Sequence, residues 1–517
     1  MKSNDPGTLS NRARLYLAEG RIPQAIDCFR RVVQLRPESA EAHYHLGDAQ
    51  ERLGDFQAAA GSYHRAVALQ PDSPELYCHL ARVLYRGGAL HPATEVYKRA
   101  LALDPKRYDV YNDFGLVLTD MGDFGAAIEA FRRALILKPG SAKTIASLGY
   151  LFECKGDLIS AADAYRDAIK LDPKLLPAYG DLGFVLYGLG ELAEASDCYH
   201  RLRALNPDSA EATVNLGLIH LLQGNLSLGW GEYESRWKVG VGDDRRLSQP
   251  RWKGEPLGGA SILLYAEQGF GDTLQFVRYV PLVAARGGQV ILEVQPELRR
   301  LLLGTKGASQ VISRGETLPE FTWQCPLLSL PLAFATELNT IPATTPYLHP
   351  DPVRVETWRE RLQGNTRRIG LAWGGNPKHH RDRLRSIPLE QLVPLMKVEG
   401  TTFYSLQLGS GVEQVKQMPP NVRLIDLGAE LTAFADTAAI VANLDLVITI
   451  DSSLAHLAGA LGKPVWILLN KGSDWRWLLE REDSPWYRTA RLFRQSTPGG
   501  WQEVVLRIEG ELRRPLK

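Results

Sequence analysis

The stretch AEAHYHLGDAQERLGDFQAAAGSYHRAVALQPD, residues 40 to 72, contains the pattern that decides the fold of the first half of the chain. Its Gly54 and its Pro71 both belong to series that recur every 34 residues. The series are Gly20, Gly54, Gly88, Gly122, Gly156, Gly190 and Gly224, and Pro37, Pro71, Pro105, Pro139, Pro173 and Pro207. Two residue types in one register of this length indicate an internal repeat. A helical pattern of apolar residues fills the space between them.

Each residue type in this register has a physical reason. Proline lacks the backbone N–H and clashes with the preceding turn, so it ends the second helix of each repeat. Glycine supplies the permissive backbone that a tight turn between two helices needs. Small residues let the paired helices approach closely, and aromatic residues such as Tyr63 and Phe131 fill the gap between neighbours. One such unit cannot bury its apolar face alone, so the pattern predicts a stack of units.

The signature residues resemble those of tetratricopeptide repeats. They are Leu46–Gly47, Ala59, Tyr63, Ala66 and Pro71 in one unit, Phe114–Gly115, Ala127, Phe131 and Ala134 in another, and Leu182–Gly183, Ala195 and Tyr199 in a third. Residues 1–238 therefore resemble an array of six full repeats and a degenerate seventh. The resemblance implies an α-solenoid, a superhelix with a concave groove that binds a protein segment.

One position in the first helix of every unit is polar. Its members are Asn11, His45, His79, Asp113, Ser147, Asp181 and Asn215. In tetratricopeptide arrays this position faces the groove, so these side chains are predicted to hydrogen-bond the backbone of an extended polypeptide. The alternative is that they are solvated and bind nothing, and the sequence leaves both interpretations open.

The 34-residue period ends after Trp237, and a different fold class begins. Residues 239–260 are rich in glycine, proline and charge and are predicted to connect the two halves. Eight apolar runs then alternate with helical segments: SILLYAE (261–267), QVILEV (289–294), SQVIS (309–313), RRIGLAW (367–373), TTFYSLQL (401–408), NVRLIDL (421–427), LDLVITI (444–450) and KPVWILL (463–469). This alternation predicts parallel sheets covered by helices. A proline-rich stretch suggests two α/β units, 261–350 and 351–517, with a ligand cleft between them.

The turn after the first of these strands reads AEQGFGDTLQF, residues 266 to 276. Gly269 and Gly271 flank Phe270, and Asp272 follows directly. Ligands of such sheets bind beyond the carboxyl ends of the strands, so the turn is predicted to face the cleft and its two glycines to contact the nucleotide-sugar. Here the second half resembles glycosyltransferase family 9, the heptosyltransferase type with the GT-B double Rossmann-like fold. The resemblance implies that Asp272 is the base that deprotonates the acceptor hydroxyl, and that the first unit binds the acceptor and the second the nucleotide-sugar.

The stretch ITIDSSLAHLAGALGKPVWIL, residues 448 to 468, resembles the donor-binding block of that family. Ser452 and Ser453 open a helix whose free N–H groups and dipole suit a diphosphate. His456 is predicted to reach a phosphate or sugar oxygen, and Asp451 to orient the loop or accept from a donor hydroxyl. The alternative is that Ser452 is only a helix N-cap and that His456 is packed in the core.

The loop in GLAWGGNPKHHRDRLRSIPL, residues 370 to 389, leaves the first strand of the second unit. Its Asn376, Arg385 and Ser386 are predicted to contact the donor, because a guanidinium fork suits the two oxygens of a phosphate. The alternative is a solvated basic loop.

Four aromatic residues, Trp475, Trp477, Trp486 and Tyr487, crowd a later segment. They would either stack on a sugar or base, or fill the core, and the sequence does not separate these roles.

Composition and motif spacing argue against several classes of protein. With 517 residues and a net charge of about +1, the chain has no field that would draw it to nucleic acid or to a membrane surface. No signal-peptide core or membrane span stands out, so a cytoplasmic protein is predicted. The cysteines are Cys28, Cys78, Cys154, Cys198 and Cys325, without disulfide or zinc spacing. The turn GFGDTL lacks the third glycine of a dinucleotide fingerprint, which disfavours an oxidoreductase.

The function implied by both resemblances is inverting transfer of a hexosyl or heptosyl group from a nucleoside diphosphate to a hydroxyl of a protein held in the groove. The nucleotide-sugar is the donor substrate, and no cofactor is expected. No acidic pair stands where a metal–diphosphate clamp would lie, so metal independence is predicted. The overall plan parallels O-linked N-acetylglucosamine transferases and bacterial flagellin glycosyltransferases. Two alternatives stay open: a non-catalytic scaffold, and a transferase that acts on polysaccharide or lipid-linked glycan.

Overall fold

The computed structural model of the chain describes residues 5–240, 245, 247–362, 364–378, 382–420 and 422–514. Its contacts divide the chain into two compact units, Met1–Val185 and Leu186–Lys517. The first unit is purely helical. The second contains the last helices of the repeat region and both sheets.

Helical pairs fill the repeat region of the described chain, one pair for each 34-residue period. The helices are α1 (Pro6–Ala18), α2 (Ile22–Leu35), α3 (Ala40–Leu53), α4 (Phe56–Leu69), α5 (Pro74–Arg86), α6 (Leu90–Leu103), α7 (Tyr108–Asp120), α8 (Phe124–Leu137), α9 (Ala142–Lys155), α10 (Leu158–Leu171), α11 (Leu176–Leu189), α12 (Leu192–Leu205), α13 (Ala210–Leu222) and α14 (Leu226–Tyr233). A 3-10 turn over Glu234–Trp237 extends α14.

The glycine and proline registers define both ends of each pair. The seven register glycines lie between the paired helices with φ between 73° and 86°, a left-handed conformation that glycine adopts without strain. The second helix of each of the first six pairs ends two residues before the register proline. An aspartate after the glycine often caps the second helix, as Asp55 does by accepting the N–H of Ala58 at 3.0 Å. The predicted α-solenoid is therefore confirmed.

Close helix packing explains the small residues of the signature. A methyl group added at Gly47 would lie 3.0 Å from the Tyr63 ring, and one at Gly115 only 2.6 Å from the Phe131 ring. Both aromatic rings are fully buried. The first helix thus needs a small residue where the aromatic residue of the second helix crosses it, and in these two pairs that residue is glycine. The predicted division between small and aromatic positions is confirmed.

Two parallel sheets form the rest of the second unit. Their strands are β1 (Ser261–Tyr265), β2 (Gln289–Val294), β3 (Ala308–Ser313), β4 (Trp323–Pro326), β5 (Arg367–Ala372), β6 (Thr401–Ser405), β7 (Leu424–Asp426), β8 (Leu446–Ile450), β9 (Val465–Leu469) and β10 (Ala490–Arg494). The helices are α15 (Phe270–Phe276), α16 (Val280–Ala284), α17 (Pro296–Leu302), α18 (Leu330–Ala333), α19 (Pro352–Arg361), α20 (Asp382–Arg385), α21 (Val393–Met396), α22 (Phe434–Ala442), α23 (Ser453–Ala460) and α24 (Trp501–Leu512).

Both sheets reverse their strand order at one point. The first has the order β3-β2-β1-β4, and the second has the order β10-β9-β8-β5-β6-β7. In the doubly wound arrangement, ligands bind outside the carboxyl ends of the strands where the order reverses. That point lies beside β1 in the first sheet and between β5 and β8 in the second. The α/β fold class predicted for this half is confirmed.

All eight predicted strands are present, and two more were missed. β4 has only four residues and ends in a proline, and β10 has arginines at the second and last positions of the run ARLFR. Each is an edge strand with a neighbour on one side only, β4 beside β1 and β10 beside β9. Neither therefore needs the continuous apolar run of a central strand. Edge position therefore explains why an apolar-run criterion overlooked them.

The last repeat packs directly on the α/β part of the second unit. Trp230 of α14 is buried and donates its indole N–H to the Thr336 carbonyl at 2.9 Å. In the predicted connector, Trp252 is also buried, and its backbone N–H donates to the Gln324 carbonyl at 2.9 Å. None of the helices in the described part of the chain has both the length and the apolar composition needed to cross a bilayer.

Candidate active site

Two helix N-termini meet at the carboxyl ends of the parallel strands. α15 follows β1 and α23 follows β8, each after a short turn. A methyl group added at Gly271 would lie 2.7 Å from Cδ2 of His456 and 3.6 Å from Cα of Ser453. The structure therefore brings the predicted glycine–aspartate turn against the predicted donor block, and it does so where both strand orders reverse.

We expect Gly271→Ala to disrupt this junction. The methyl group has no free space, because the His456 ring that it meets is itself buried. Overpacking of this kind costs about 1 to 3 kcal/mol of stability and shifts the two helices apart. Tryptophan fluorescence during urea unfolding measures the loss. Gly510→Ala is the matched control, since a methyl group there meets open space on α24. An equal stability for the two variants would contradict the close contact.

Asp272 is held by two contacts. Its Oδ2 accepts the backbone N–H of Gly269 at 2.9 Å, which caps α15, and its Oδ1 forms an ion pair with Arg476. Burial raises the pKa of the Asp272 carboxyl, while the Arg476 guanidinium opposes that rise and Asp474 adds to it. The Asp272 side chain is 18% exposed to solvent, so an incoming hydroxyl has access to it.

Arg476 was missed by the sequence analysis as a site residue. It lies in a 3-10 turn, Trp475–Trp477, and is 7% exposed. Besides Asp272 it binds Asp474 at 2.9 Å, and its Nε donates to Gln275 of α15 at 2.7 Å. The signal available in the sequence was DWRW, in which an acid and a guanidinium stand two residues apart.

His456 occupies the junction of the two helices. Its side chain is 5% exposed, Nδ1 shares a 2.9 Å hydrogen bond with the Tyr487 hydroxyl, and its ring stacks on Trp477 at 5.3 Å between centroids. Burial, with Arg476 adding to the effect, lowers the pKa of His456 to about 3. The structure shows a packed imidazole, and direct contact of His456 with a donor stays a prediction.

Asp451 and Arg385 lie next to the start of α23. Arg385 donates from Nη1 to the Asp451 carbonyl at 3.1 Å and from Nε to Asp382 at 3.2 Å. Burial raises the pKa of the Asp451 carboxyl to about 6, and the nearby Asp474 adds to that rise. The structure therefore brings Arg385 and Asp451 together at the helix start that the sequence analysis assigned to a diphosphate.

The two serines at that helix start are accessible. Ser452 is the N-cap of α23, but its hydroxyl caps no backbone N–H and instead shares a 3.1 Å hydrogen bond with Thr449. Both Ser452 and Ser453 are half-buried. The first backbone N–H groups of an α-helix have no partner within the helix, so they are available to an anion here.

The loop after β5 has a more structural character than predicted. The Ser386 hydroxyl accepts the Gly375 N–H and donates to Asp382, both at 3.0 Å, and therefore holds the loop closed. Asn376 is exposed, and its side chain accepts the backbone N–H of Lys378 at 3.0 Å. Donor contacts of Ser386 and Asn376 stay predictions. The basic residues His379, His380 and Arg381 of this loop lie outside the described residues.

Gln407 is a second residue that the sequence analysis missed. It is 2% exposed, and its Oε1 accepts the N–H groups of Trp373 and Gly374 at 2.9 and 2.8 Å. Its Nε2 donates to the Gly374 and Ser410 carbonyls, both at 3.0 Å. One amide thus ties the end of β5 to the loop after β6. A lone glutamine after a strand offers no sequence signal for this role.

The four crowded aromatic residues belong to the core. Trp475, Trp477, Trp486 and Tyr487 are each no more than 2% exposed. The Arg278 guanidinium lies 5.5 Å from the Trp486 ring and donates to the Trp486 carbonyl at 2.7 Å, which ties the helical segment after β1 to this segment. The sequence left stacking on a sugar and filling of the core open, and the structure favours the second.

Two members of the polar series in the repeats are stacked on aromatic residues. The His45 ring lies 5.6 Å from the Phe29 ring at an interplanar angle of 18°, and the His79 ring lies 5.5 Å from the Tyr63 ring at 25°. In each case a first helix contacts the second helix of the preceding repeat. These histidines therefore contribute to packing between repeats, and peptide binding by them stays a prediction.

The other members differ in exposure. Asp113 pairs with Lys143 at 3.0 Å, and Ser147 is 7% exposed and donates to the Lys143 carbonyl at 3.0 Å. Asn11 and Asp181 are exposed, and Asn215 is half-buried. The series is thus polar in every repeat but uneven in solvent exposure, and its role in partner binding stays a prediction.

Known protein families match both halves. The sequence profile of the tetratricopeptide repeat matches residues 10–74, 50–108, 112–175 and 181–238. The profile of glycosyltransferase family 9 (heptosyltransferase) matches residues 407–477, which include Asp451, Ser452, Ser453, His456 and Arg476. The chain therefore combines tetratricopeptide repeats with a domain of the glycosyltransferase family 9 type.

Individual proteins give weaker matches. Protein FlbA of Caulobacter vibrioides is 29% identical over 325 residues, which are 57% of this chain and 54% of FlbA, so the match spans about half of that protein. A tetratricopeptide repeat protein from Parabacteroides merdae has 17% identity and a TM-score of 0.41 and covers 47% of this chain and 94% of its own. A thermophilic repeat protein of Thermus thermophilus has 24% identity and a TM-score of 0.30, with coverage of 35% and 99%.

Proposed function

We propose that the chain is an inverting, metal-independent glycosyltransferase that moves a hexosyl or heptosyl group from a nucleoside diphosphate to a hydroxyl of a protein. The observation that carries this proposal is the contact of Gly271 with His456 and Ser453. It places a carboxylate, Asp272, beside the free N-terminus of α23, and a transferase of this type needs both groups. The family 9 match across α23 supports the same assignment.

The proposed reaction is a single displacement. The acceptor oxygen attacks the anomeric carbon, the bond from that carbon to the diphosphate oxygen breaks, and the diphosphate leaves with the electron pair. Asp272 takes the proton of the acceptor hydroxyl. Its two existing partners leave further lone pairs on the carboxylate, which accepts up to about four hydrogen bonds. Attack from the face opposite the leaving group inverts the anomeric centre.

The leaving diphosphate would be stabilised by fixed charge. The N-terminus of α23 carries about half a positive elementary charge from the helix dipole, together with free N–H groups. Arg385 reaches the Asp451 carbonyl at the same point and brings a full charge. Groups that are already oriented toward developing charge commonly supply the largest part of a rate enhancement. This arrangement performs the role that a metal ion has in other transferases.

We expect Arg385→Leu to lower kcat/KM for the nucleotide-sugar by about 10- to 100-fold, because a hydrogen bond to a charged group contributes about 1.5 to 3 kcal/mol. Initial rates over a range of donor concentrations measure the change. Arg361→Leu is the control, since Arg361 makes an exposed ion pair with Glu430. If kcat/KM for the nucleotide-sugar is unchanged in Arg385→Leu, this residue does not belong to the donor site.

A protein acceptor is the part of the proposal that rests on the repeats. Tetratricopeptide arrays bind polypeptide segments, and this one precedes the transferase domain in the same chain. The polar series from Asn11 to Asn215 offers hydrogen-bonding groups in every repeat. We propose that the array holds the acceptor polypeptide and supplies its hydroxyl group to Asp272.

The first experiment is a donor screen. Purified protein is incubated with a panel of nucleotide-sugars and a cell lysate as acceptor source, and release of nucleoside diphosphate is followed with and without EDTA. Release that needs Asp272 and persists in EDTA, with a matching mass increase on a protein, supports the whole proposal. A mass increase only on glycan would redirect the acceptor assignment. If no donor binds or reacts, the enzyme assignment fails and a scaffold takes its place.

A further inference from the structure

The loop after β9, Asn470–Leu478, carries Arg476 into the site. The guanidinium is bound to Asp272 of α15, to Asp474 of its own loop and to Gln275 of α15. Its carbon lies 4.3 Å from the Trp475 ring, so the side chain is also packed on an aromatic face. Three polar partners and two aromatic rings, those of Trp475 and Phe276, therefore define the position of Arg476. Any displacement of its loop therefore moves the partner of Asp272.

The same loop is held from the other side by the end of the repeat region. The Tyr187 hydroxyl donates to the Ser473 carbonyl at 3.1 Å, and a methyl group added at Gly472 would lie 2.3 Å from the Tyr187 carbonyl oxygen. Trp475 makes an edge contact with Trp230 of α14 at 5.1 Å between centroids. All of these residues lie in the unit Leu186–Lys517. The loop thus links repeat residues to the candidate base in a few contacts.

We propose that Arg476 is a positioning residue for Asp272, and that loop 470–478 is the connection through which the last repeats, residues 186–238, determine the state of that carboxylate. The proposal rests on the proposed function for its catalytic consequence, but the connection itself is independent of any donor. It assigns the DWRW segment a role beyond filling the core, because the two tryptophans fix the loop while the arginine between them binds the base.

The charged groups around Asp272 determine whether loss of Arg476 raises or lowers the pKa of that carboxyl. Arg476 and Asp474 act on it from the loop, Tyr233 from the last repeat and Glu267 from the turn after β1, while His456 of α23 lies against the neighbouring Gly271. Arg476 is the cation among these groups and favours the ionised carboxylate. An arginine beside an aspartate lowers the aspartate pKa by about one to three units. Loss of Arg476 therefore raises the pKa of Asp272 and moves the acidic limb of a rate profile to higher pH.

The direct test replaces Arg476 by glutamine and by lysine. In Arg476→Gln the acidic limb of the kcat/KM profile is expected to move to higher pH by about one unit or more. Arg476→Lys keeps the charge and is expected to reverse most of that shift. Arg368→Gln is the matched control, because Arg368 makes a comparable two-point contact with Asp445 at the start of β5, away from the site. A merely structural role for Arg476 would lower stability and leave the limb where it is.

A second measurement works without a donor. Carbodiimide labelling of carboxyl groups, read residue by residue by mass spectrometry across pH, reports the access and ionisation of Asp272 directly. We expect Asp272 labelling to increase at least twofold in Arg476→Gln and to change in the same direction in Gly472→Ala, where the added methyl group forces the loop away from Tyr187. Gly510→Ala should leave labelling unchanged, since its methyl group meets open space.

The two readouts separate the possible failures. If the wild-type chain reacts with no donor, the proposed function fails, yet a change in Asp272 labelling in both variants still supports the connection. If Arg476→Gln alters Asp272 and Gly472→Ala does not, the link to the repeats is overturned. An unshifted limb together with unchanged labelling in Arg476→Gln overturns the positioning role as well.

Discussion

Replacing Asp272 by asparagine is expected to lower kcat by about 10²- to 10⁴-fold, the usual contribution of a general base. The exchange keeps the shape of the side chain, and an amide oxygen can still accept the Gly269 N–H that caps α15. The carboxylate charge is lost, and with it both the proton acceptor and the ion pair with Arg476. Burial raises the pKa of Asp272, so kcat/KM of the wild type should rise with pH as the carboxylate ionises. That limb should be absent from the variant.

Rates of nucleoside diphosphate release, with the donor identified by the screen, measure this effect. Asp445→Asn is the matched control, because Asp445 also pairs with an arginine, Arg368, but at the amino ends of β5 and β8, away from the candidate site. Its activity should stay within about threefold of the wild type. An Asp272→Asn variant that keeps more than a tenth of the wild-type kcat would assign the base to another residue.

The repeat region was predictable because its signals are local. A left-handed glycine, a helix-ending proline and a capping aspartate each act within a few residues of their own position, and 34-residue repetition shows them several times. The central strands were equally readable as apolar runs. β4 and β10 were not, since pairing at a sheet edge is determined by distant residues and not by the run itself.

The candidate site was predictable only in part. The turn at Gly269–Asp272 and the helix start at Ser452 follow strands directly, so fold order alone indicates that both lie near the cleft. Arg476 reaches Asp272 across 204 residues of sequence, and no spacing rule reports such a contact. Tertiary contacts of this kind become visible only when the two sheets are placed together.

Removing Arg236 is expected to destabilise the second unit by about 3 to 5 kcal/mol, because it leaves a buried carboxylate without its counter-charge. The Arg236 and Glu267 side chains are both fully buried and are joined at 3.0 and 3.1 Å. Arg236 also binds Glu234 at 2.6 Å and Ser329 at 2.8 Å. Burial raises the pKa of Glu267 and Arg236 opposes that rise, so its loss leaves the full desolvation cost. Arg236→Met is the variant to test.

Urea unfolding followed by tryptophan fluorescence isolates this effect, because every tryptophan of the chain lies between Trp230 and Trp501 and thus in the second unit. Arg359→Met is the control, since its pair with Glu356 is exposed and should contribute less than about 1 kcal/mol. The double variant Arg236→Met with Glu267→Gln should regain at least half of the loss, because no buried charge is then left unpaired.

A loss in Arg236→Met as small as that in Arg359→Met would contradict the buried network. The end of the repeat region would then be only loosely attached to the strand that leads to Asp272. A large loss that the double variant does not recover would mean that Arg236 acts through packing on Tyr233 and Trp237, whose rings lie 4.9 and 4.6 Å from its guanidinium carbon. Recovery in the double variant would instead identify electrostatics as the force that joins the last repeat to the α/β part of the second unit.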